Sequence, residues 1–251
     1  SGVSKIYHNN GDHTFTELLS LTGVINGSVG WGDYDNDGYL DILLTGNLSG
    51  LDRVSKIYHN DGNNNFSEQT SIILAQVYES SVDWGDYDND GDLDILLTGD
   101  TGSGNISKIY RNNNVISNNL PTFPTNLTSS VDNTSVTLSW DKSTDIETPQ
   151  NGLKYNLVIG STPNEVNTLS PMSDRSTGYR RVNNLGNTNH NNSWTIKDLT
   201  PGTYYWSVQA IDNAFAGSPF ATEKSFTIAP NNQPILTWTG EPGYETDGVN
   251  P

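Results

Sequence analysis

Two stretches of this chain place aspartates at alternate positions of a short, glycine-containing loop that leads into an apolar segment. Residues 31–46 and 84–99 are the same sixteen-residue sequence, except that Tyr39 in the first corresponds to Asp92 in the second. Side-chain oxygens at loop positions one, three, five and nine, with the backbone carbonyl at position seven, can enclose Ca²⁺, while glycine at position six permits the sharp turn. The sequence therefore predicts two calcium loops. Their ligands are Asp33, Asp35, Asp37, Tyr39 (carbonyl) and Asp41 in loop one, and Asp86, Asp88, Asp90, Asp92 (carbonyl) and Asp94 in loop two.

Other metals and other calcium motifs fit these loops less well. An EF-hand needs a bidentate glutamate at position twelve and a helix on each side, but position twelve is Leu44 in loop one and Leu97 in loop two. Mg²⁺ prefers fewer protein ligands and keeps its waters. Transition metals recruit His or Cys, whereas His8 and His59 lie outside the loops in the sequence. The alternative that stays open is an acidic turn without an ion.

The loops belong to a longer repeat that predicts small β-sheets. The tetrapeptide Ser-Lys-Ile-Tyr begins at residues 4, 55 and 107, and the two loops start 53 residues apart. A period in this range is typical of propeller blades. Within one period we expect strands at 40–45, 55–59, 66–68 and 75–84. The continuous apolar runs 42–44 and 95–97 indicate strands buried on both faces.

The loop sequence with its preceding Ser-Val-x-Trp-Gly resembles the FG-GAP/VCBS repeat, the blade unit of integrin α-subunit propellers and of many secreted bacterial proteins. The resemblance covers roughly residues 1–116, and we assign 1–118 to a partial propeller with two calcium loops. It implies Ca²⁺ at the ten positions given above. Two departures stand out: Trp-Gly replaces Phe-Gly, and about two blades are present where a closed ring needs several.

The second half of the chain has the alternating sequence pattern that is typical of a β-sandwich. Val136, Leu138 and Trp140 alternate with polar residues, and further strands are expected at 153–159, 194–199, 203–211 and 225–228. Residues 119–230 resemble a fibronectin type III domain, with Tyr204 as the candidate tyrosine-corner residue. A polar stretch at 161–193 replaces short connections and is either a binding loop or an elaborated edge. Residues 231–251, with an expected strand at 235–239, are interpreted as a linker or the start of another β domain.

Composition limits the function classes. The formal net charge of −17 argues against binding to a nucleic-acid backbone, and the absence of cysteine excludes disulfides. No signal peptide or membrane-spanning segment is evident in the sequence, and because the chain begins within a repeat we treat it as a piece of a longer polypeptide.

The motifs favour binding or architecture over catalysis. No nucleophile elbow, zincin helix, P-loop or dinucleotide motif is present, so we predict no enzyme activity. The leading hypothesis is a non-catalytic calcium-binding segment of a large secreted or cell-surface bacterial protein, acting as adhesive or spacer architecture. Two alternatives remain open. One is a glycan-binding propeller whose Trp31, Trp84, Tyr34 and Tyr87 stack on sugars, although such aromatics usually pack between blades. The other is a platform that docks an extracellular protein, or a second copy of the chain, through open blade edges.

Overall fold

A computed structural model describes residues 2–48, 50, 52–180 and 182–230, and there the chain is built from strands and loops. The N-terminal strands are β1 (Lys5–Asn9), β2 (Phe15–Ser20), β3 (Ile25–Gly32), β4 (Asp41–Asn47), β5 (Arg53–Asn60), β6 (Phe66–Glu68), β7 (Tyr78–Gly85), β8 (Asp94–Asp100) and β9 (Asn105–Tyr110). The C-terminal strands are β10 (Thr125–Asp132), β11 (Ser135–Asp141), β12 (Lys154–Gly160), β13 (Ser193–Ile196), β14 (Gly202–Ile211) and β15 (Lys224–Ile228). The strand expected at 235–239 lies outside the described residues. No helix in the described ranges is long and apolar enough to cross a bilayer.

The N-terminal strands form two blade-like sheets and a separate hairpin. β3, β4, β5 and β6 make a four-stranded antiparallel sheet, the first blade, and β7, β8 and β9 repeat its first three strands as the second blade. β1 and β2 pair only with each other among the described strands. The four strands expected within one sequence period are present as β4 to β7. These four strands do not form one sheet, however. β7 is the first strand of the second blade, and the first strand of the first blade is β3. The described residues show no closed ring.

The continuous apolar run in β4 is buried on both faces, because alternate residues pack against different neighbours. Leu43 joins the cluster shared with the second blade, whereas Ile42 and Leu44 pack toward the β1–β2 hairpin. In the joint between the blades the indole of Trp84 lies over the backbone of β3. A Cβ on Gly32 would come within 2.8 Å of this ring, so glycine is needed there for close approach.

The C-terminal part is a β-sandwich with fibronectin type III-like strand pairing. One sheet has the order β10-β11-β13 and the other β12-β14-β15, which correspond to strands A-B-E and C-F-G of such a sandwich. Side chains from both sheets form the core, including Trp140, Tyr155 and Trp206. The Tyr204 hydroxyl donates to the Thr200 carbonyl at 3.0 Å, which is the tyrosine-corner contact expected from the sequence.

The polar stretch 161–193 lies along the outer face of the β12–β14–β15 sheet. Asn156 and Gln209 project from β12 and β14, away from the core, and both bond to Ser173 of this stretch, with the Ser173 hydroxyl donating to Gln209 Oε1 at 2.9 Å. This buried amide–hydroxyl network explains why β12 is buried throughout its length. The described part of the stretch therefore covers the edge and the outer face of this sheet.

Candidate metal centre

Both acidic loops are folded by the same set of hydrogen bonds. Asp33 accepts the backbone N–H groups of Asp37 at 3.1 Å and Gly38 at 2.9 Å, and Asp86 accepts the equivalent N–H groups of loop two. The fourth position has a left-handed conformation, with φ 58° at Asn36 and φ 61° at Asn89, which asparagine tolerates better than most residues. Position six needs glycine for a similar reason, with φ 90° at Gly38 and φ 93° at Gly91. The same hydrogen bonds and the same left-handed positions therefore give both loops the same backbone conformation.

The aspartate at position nine is fixed by backbone groups from two directions. Asp41 accepts the N–H of Tyr34 within its own loop at 3.2 Å and that of Asn60 at the end of β5 at 2.8 Å. Asp94 accepts the N–H of Tyr87 at 3.1 Å and that of Asn112, just after β9, at 2.7 Å. Pairing of β4 with β5, and of β8 with β9, therefore orients the ninth carboxylate of each loop.

The structure brings together part of each predicted ligand set. Oxygens of Asp33, Asp35 and Asp37 lie within 4.8 Å of one another, as do those of Asp86, Asp88 and Asp90. Asp41 joins a second group, in which its neighbours are Asp35 and His59. Among the described residues Asp94 does not join the three carboxylates of loop two in such a group.

Position seven, predicted to bind through its carbonyl, also has a structural role in its side chain. The Asp92 carboxylate accepts a 2.8 Å hydrogen bond from the Asn36 side chain, which links the two loops. The Tyr39 ring lies against the backbone of the turn at Gly62, where a Cβ would come within 2.4 Å of it. The single difference between the two sixteen-residue sequences thus falls where the loops have different neighbours.

A basic side chain beside each carboxylate group was not anticipated. His59 Nδ1 lies 3.0 Å from Asp35 Oδ2 and 3.4 Å from Asp41 Oδ1. At the equivalent position of the next repeat, Arg111 Nε lies 2.6 Å from Asp88 Oδ2 and its guanidinium donates to Asp90 Oδ2 at 2.8 Å. The signal was available in the sequence, because the residue after each Ser-Lys-Ile-Tyr is His8, His59 or Arg111.

Loop one is electrostatically costly without a cation. Burial is the main reason why the pKa of Asp33 is raised to about 7 and that of Asp41 to about 8; neighbouring carboxylates add to this effect and the backbone N–H groups oppose it. Burial also raises the pKa of Asp35. In loop two the hydrogen bond from Arg111 lowers the pKa of the exposed Asp90. Loop one therefore has the stronger need for a bound positive charge.

The donor set of loop one fits a hard divalent cation. Asp35 Oδ1 is buried and accepts no hydrogen bond within the part of the chain that the structure describes. A buried carboxylate oxygen without a donor is costly, and the three neighbouring carboxylates of this loop provide the oxygen ligands that Ca²⁺ prefers. Asp33, Asp35 and Asp37 would hold the ion, with Asp41 and the carbonyl of Tyr39 as the remaining predicted ligands.

Loop one is covered by neighbouring amides, whereas loop two faces a cavity. Asn112 and Asn114, which follow β9, donate to the backbone carbonyls of Tyr34 at 2.7 Å and Asp35 at 2.9 Å. The sandwich contributes Asn213, whose side chain donates to the Gly38 carbonyl at 2.8 Å. Beside loop two lies a cavity of about 320 Å³. Its lining includes Asp86, Asn89, Asp90, Tyr179, Asn183 and Phe215.

Comparison with known proteins identifies the repeat. Residues 1–44 and 46–97 match the model of the FG-GAP-like repeat family, a little over a third of the chain. No curated protein matches the chain. A solved structure, "Crystal structure of chicken CNTN1 FN1-FN3 domains", is matched at 15% identity and a TM-score of 0.31, over 81% of this chain and 65% of that chain, slightly less than two thirds of its length. A likeness at this TM-score carries no argument. The match to the FG-GAP-like repeat model spans, among the described residues, the β1–β2 hairpin, the first blade and the start of the second.

Proposed function

We propose that this chain is a non-catalytic, calcium-stabilised module of a large secreted or surface-anchored bacterial protein, where it serves as adhesive or spacer architecture. The observation that carries the proposal is the twice-repeated cage of three carboxylates, whose buried Asp35 oxygen in loop one has no hydrogen-bond donor among the described residues. The FG-GAP-like repeats and the type III-like sandwich support an architectural role.

Calcium would stabilise the folded module by neutralising the negative charges of the carboxylates that lie close together in each loop. Asp33 and Asp41 have raised pKa values because they are buried, so near neutral pH they retain protons that a cation displaces. An ion that binds only the folded state adds about 0.4 kcal/mol when its concentration equals Kd, and about 2.7 kcal/mol at a hundredfold excess. The stabilisation should therefore grow steadily with calcium concentration.

Thermal unfolding with calcium, with magnesium and with EDTA tests the proposal. We expect calcium to raise Tm above the EDTA value and magnesium to raise it less. Asp35→Asn should remove much of the calcium effect, because it removes one charge from the buried cage. Asp198→Asn, which removes the same charge from an exposed position far from both loops in the sequence, is the matched control and should respond to calcium as the wild type does. A wild-type Tm that is the same in calcium and in EDTA would refute the proposal.

A second candidate function, glycan binding, is favoured by the cavity beside loop two. Its lining combines carboxylate and amide groups with the rings of Tyr179 and Phe215, a mixture that suits sugar hydroxyls and sugar faces. The four aromatic residues that the sequence suggested for sugar stacking differ in their exposure. Trp84 is buried, so its ring is not available to a sugar, and the half-buried Tyr34 stacks on it at a centroid distance of 6.3 Å, whereas Trp31 and Tyr87 are exposed. A glycan array that gives no signal above an unrelated β-sandwich would end this alternative.

A further inference from the structure

A lysine is buried in the sandwich without a carboxylate partner. Lys154, the first residue of β12, is only 2% exposed, although lysine is almost never fully buried unless it is paired with an opposite charge. Within the described ranges it forms no ion pair. Its Nζ atom donates instead to Oδ1 of Asn213, which is also buried, at 2.6 Å. Pairing of β12 with β14 brings the two residues together, because Lys154 lies opposite Ile211 and Asn213 comes shortly after the end of β14.

The side-chain amide of Asn213 is held so that its carbonyl faces this lysine. Its Nδ2 donates to the Gly38 carbonyl at 2.8 Å, and the backbone N–H of Asn213 donates to Thr148 Oγ1 at 3.2 Å. Because an amide carbon lies about 1.2 Å from its oxygen, Lys154 Nζ is at most about 3.8 Å from the side-chain carbonyl carbon of Asn213. Reacting atoms in a near-attack arrangement are about 3–3.5 Å apart. The amine and the amide carbon are therefore close to a separation at which they can react.

Burial favours the uncharged form of the Lys154 amine, which is the nucleophilic form. It lowers the pKa of Lys154 to about 8, against the opposing charges of Asp212 and Asp33. At pH 7 about one such lysine in ten is then uncharged, compared with fewer than about one in a thousand for an ordinary lysine. A desolvated lysine with a lowered pKa is a nucleophile toward carbonyl groups. Lys154 therefore has both the position and the protonation state needed to attack the amide.

A buried acid precedes Asn213 in the chain. Asp212 is fully buried and accepts hydrogen bonds from the Asn118 side chain at 2.8 Å and from the Ala216 N–H at 2.7 Å. Burial raises the pKa of Asp212 to about 7, against these hydrogen bonds and the charge of Lys154. A carboxyl group with a pKa near neutrality can both accept and return a proton. Asp212 is therefore suited to carry a proton between the two side-chain nitrogens.

We propose that Lys154 and Asn213 react with each other to form an isopeptide bond within the sandwich. Lys154 Nζ attacks the side-chain carbonyl carbon of Asn213, so that a new C–N bond forms, the bond from this carbon to Nδ2 breaks, and the amide nitrogen leaves as ammonia. One proton passes from Nζ to the departing nitrogen by way of Asp212, and no oxidant or cofactor is needed. The new amide keeps one N–H as a donor for the Gly38 carbonyl.

The bond would join two strands of the sandwich at the end that contacts loop one. It connects the start of β12 to the segment after β14 and closes residues 154–213 into a loop that contains the polar stretch 161–193. A covalent link of this kind restricts the unfolded chain as a disulfide does, and this chain has no cysteine. The proposal does not depend on calcium binding by either acidic loop.

Mass spectrometry of the intact, folded full chain tests the proposal. The chain should be lighter than its sequence requires by about 17 Da, the mass of one ammonia molecule. Digestion with trypsin should then give a branched peptide made of residues 143–175 and 198–224, because trypsin does not cleave after an acylated Lys154. A succinimide at an asparagine also releases ammonia but gives no branched peptide, so the digest separates the two reactions.

Matched variants of the protein locate the bond. Lys154→Met and Asn213→Ala should each keep the full mass that their sequences require. Lys142→Met is the control, because Lys142 donates to Asn151 in a similar contact at 2.9 Å but both residues are exposed to water; this variant should lose ammonia as the wild type does. A wild-type chain of full mass, or one that loses ammonia without giving the branched peptide, would overturn the proposal. The wild-type measurement decides the question without any variant, should Lys154→Met or Asn213→Ala fail to fold.

Discussion

Replacing Gly38 with alanine should destabilise the protein more than the identical change at Gly91, although both glycines hold position six of their loops. The backbone conformations are nearly equal, with φ 90° and φ 93°. The surroundings differ. A Cβ on Gly38 would lie 1.9 Å from the backbone carbonyl oxygen of Glu147 in the sandwich, whereas a Cβ on Gly91 would meet nothing within 4 Å. Gly38 thus lies at a contact between the blades and the sandwich, whereas Gly91 does not and provides the control.

The size of the difference follows from these contacts. Both substitutions place a Cβ in the left-handed region, at a cost of about 1–2 kcal/mol. Gly38→Ala must also move the sandwich backbone away, which breaks the hydrogen bond from Asn213 to the Gly38 carbonyl and costs roughly another 1 kcal/mol before any loss of packing. For a chain of this size each kcal/mol lowers Tm by about 2–4 °C. We expect Gly38→Ala to lower Tm by about twice as much as Gly91→Ala.

Differential scanning calorimetry in saturating calcium measures this directly. We expect Gly91→Ala to lower Tm while keeping the shape of the wild-type transition. Gly38→Ala should lower it further and begin to separate the unfolding of the blades from that of the sandwich, because their shared contact is lost. Equal Tm values for the two variants would show that loop one does not support the junction and would refute this reasoning.

Three further predictions follow from individual contacts. Arg111→Met should raise the calcium affinity of loop two modestly, since the guanidinium of an exposed ion pair no longer competes with the cation for Asp88 and Asp90; calorimetry showing unchanged or weaker affinity would contradict this. Burial raises the pKa of Asp212 to about 7, so the folded state keeps a proton that the unfolded state releases above about pH 4. Wild-type stability should therefore fall relative to Asp212→Asn as pH rises from about 4 to 7, and parallel Tm profiles of the two proteins would oppose this. Tyr204→Phe should cost about 1 kcal/mol by removing the hydrogen bond to Thr200, whereas Tyr205→Phe on the opposite face should cost less in chemical denaturation, and equal losses would argue against a tyrosine corner.

Local patterns in the sequence were sufficient for most of the fold. The alternating aspartates predicted the loops, and the continuous apolar run at 42–44 predicted a strand buried on both faces, because both depend on neighbours in the sequence. The tyrosine corner was predicted in the same way from Tyr204. β10 was missed because its residues are mostly polar and exposed, so it lacks the alternation of a half-buried strand.

The contacts that define the surroundings of the loops could not be predicted from the sequence alone. His59 reaches Asp35 only because pairing of β4 with β5 returns the end of β5 to the loop. The contact of Gly38 with Asn213 joins positions 175 residues apart and depends on how the sandwich docks. Such contacts arise from tertiary packing, which leaves no periodic signal in the sequence. The basic residue after each Ser-Lys-Ile-Tyr was the only hint.

Calcium stoichiometry of the full chain tests the central claim most directly. Isothermal titration calorimetry of the wild type, of Asp35→Asn and of Asp88→Asn should give two, one and one bound ions per chain, because each substitution removes a carboxylate from one of the two cages. Absence of measurable binding to the wild type, or two ions still bound by both variants, would contradict the assignment of these loops as metal sites.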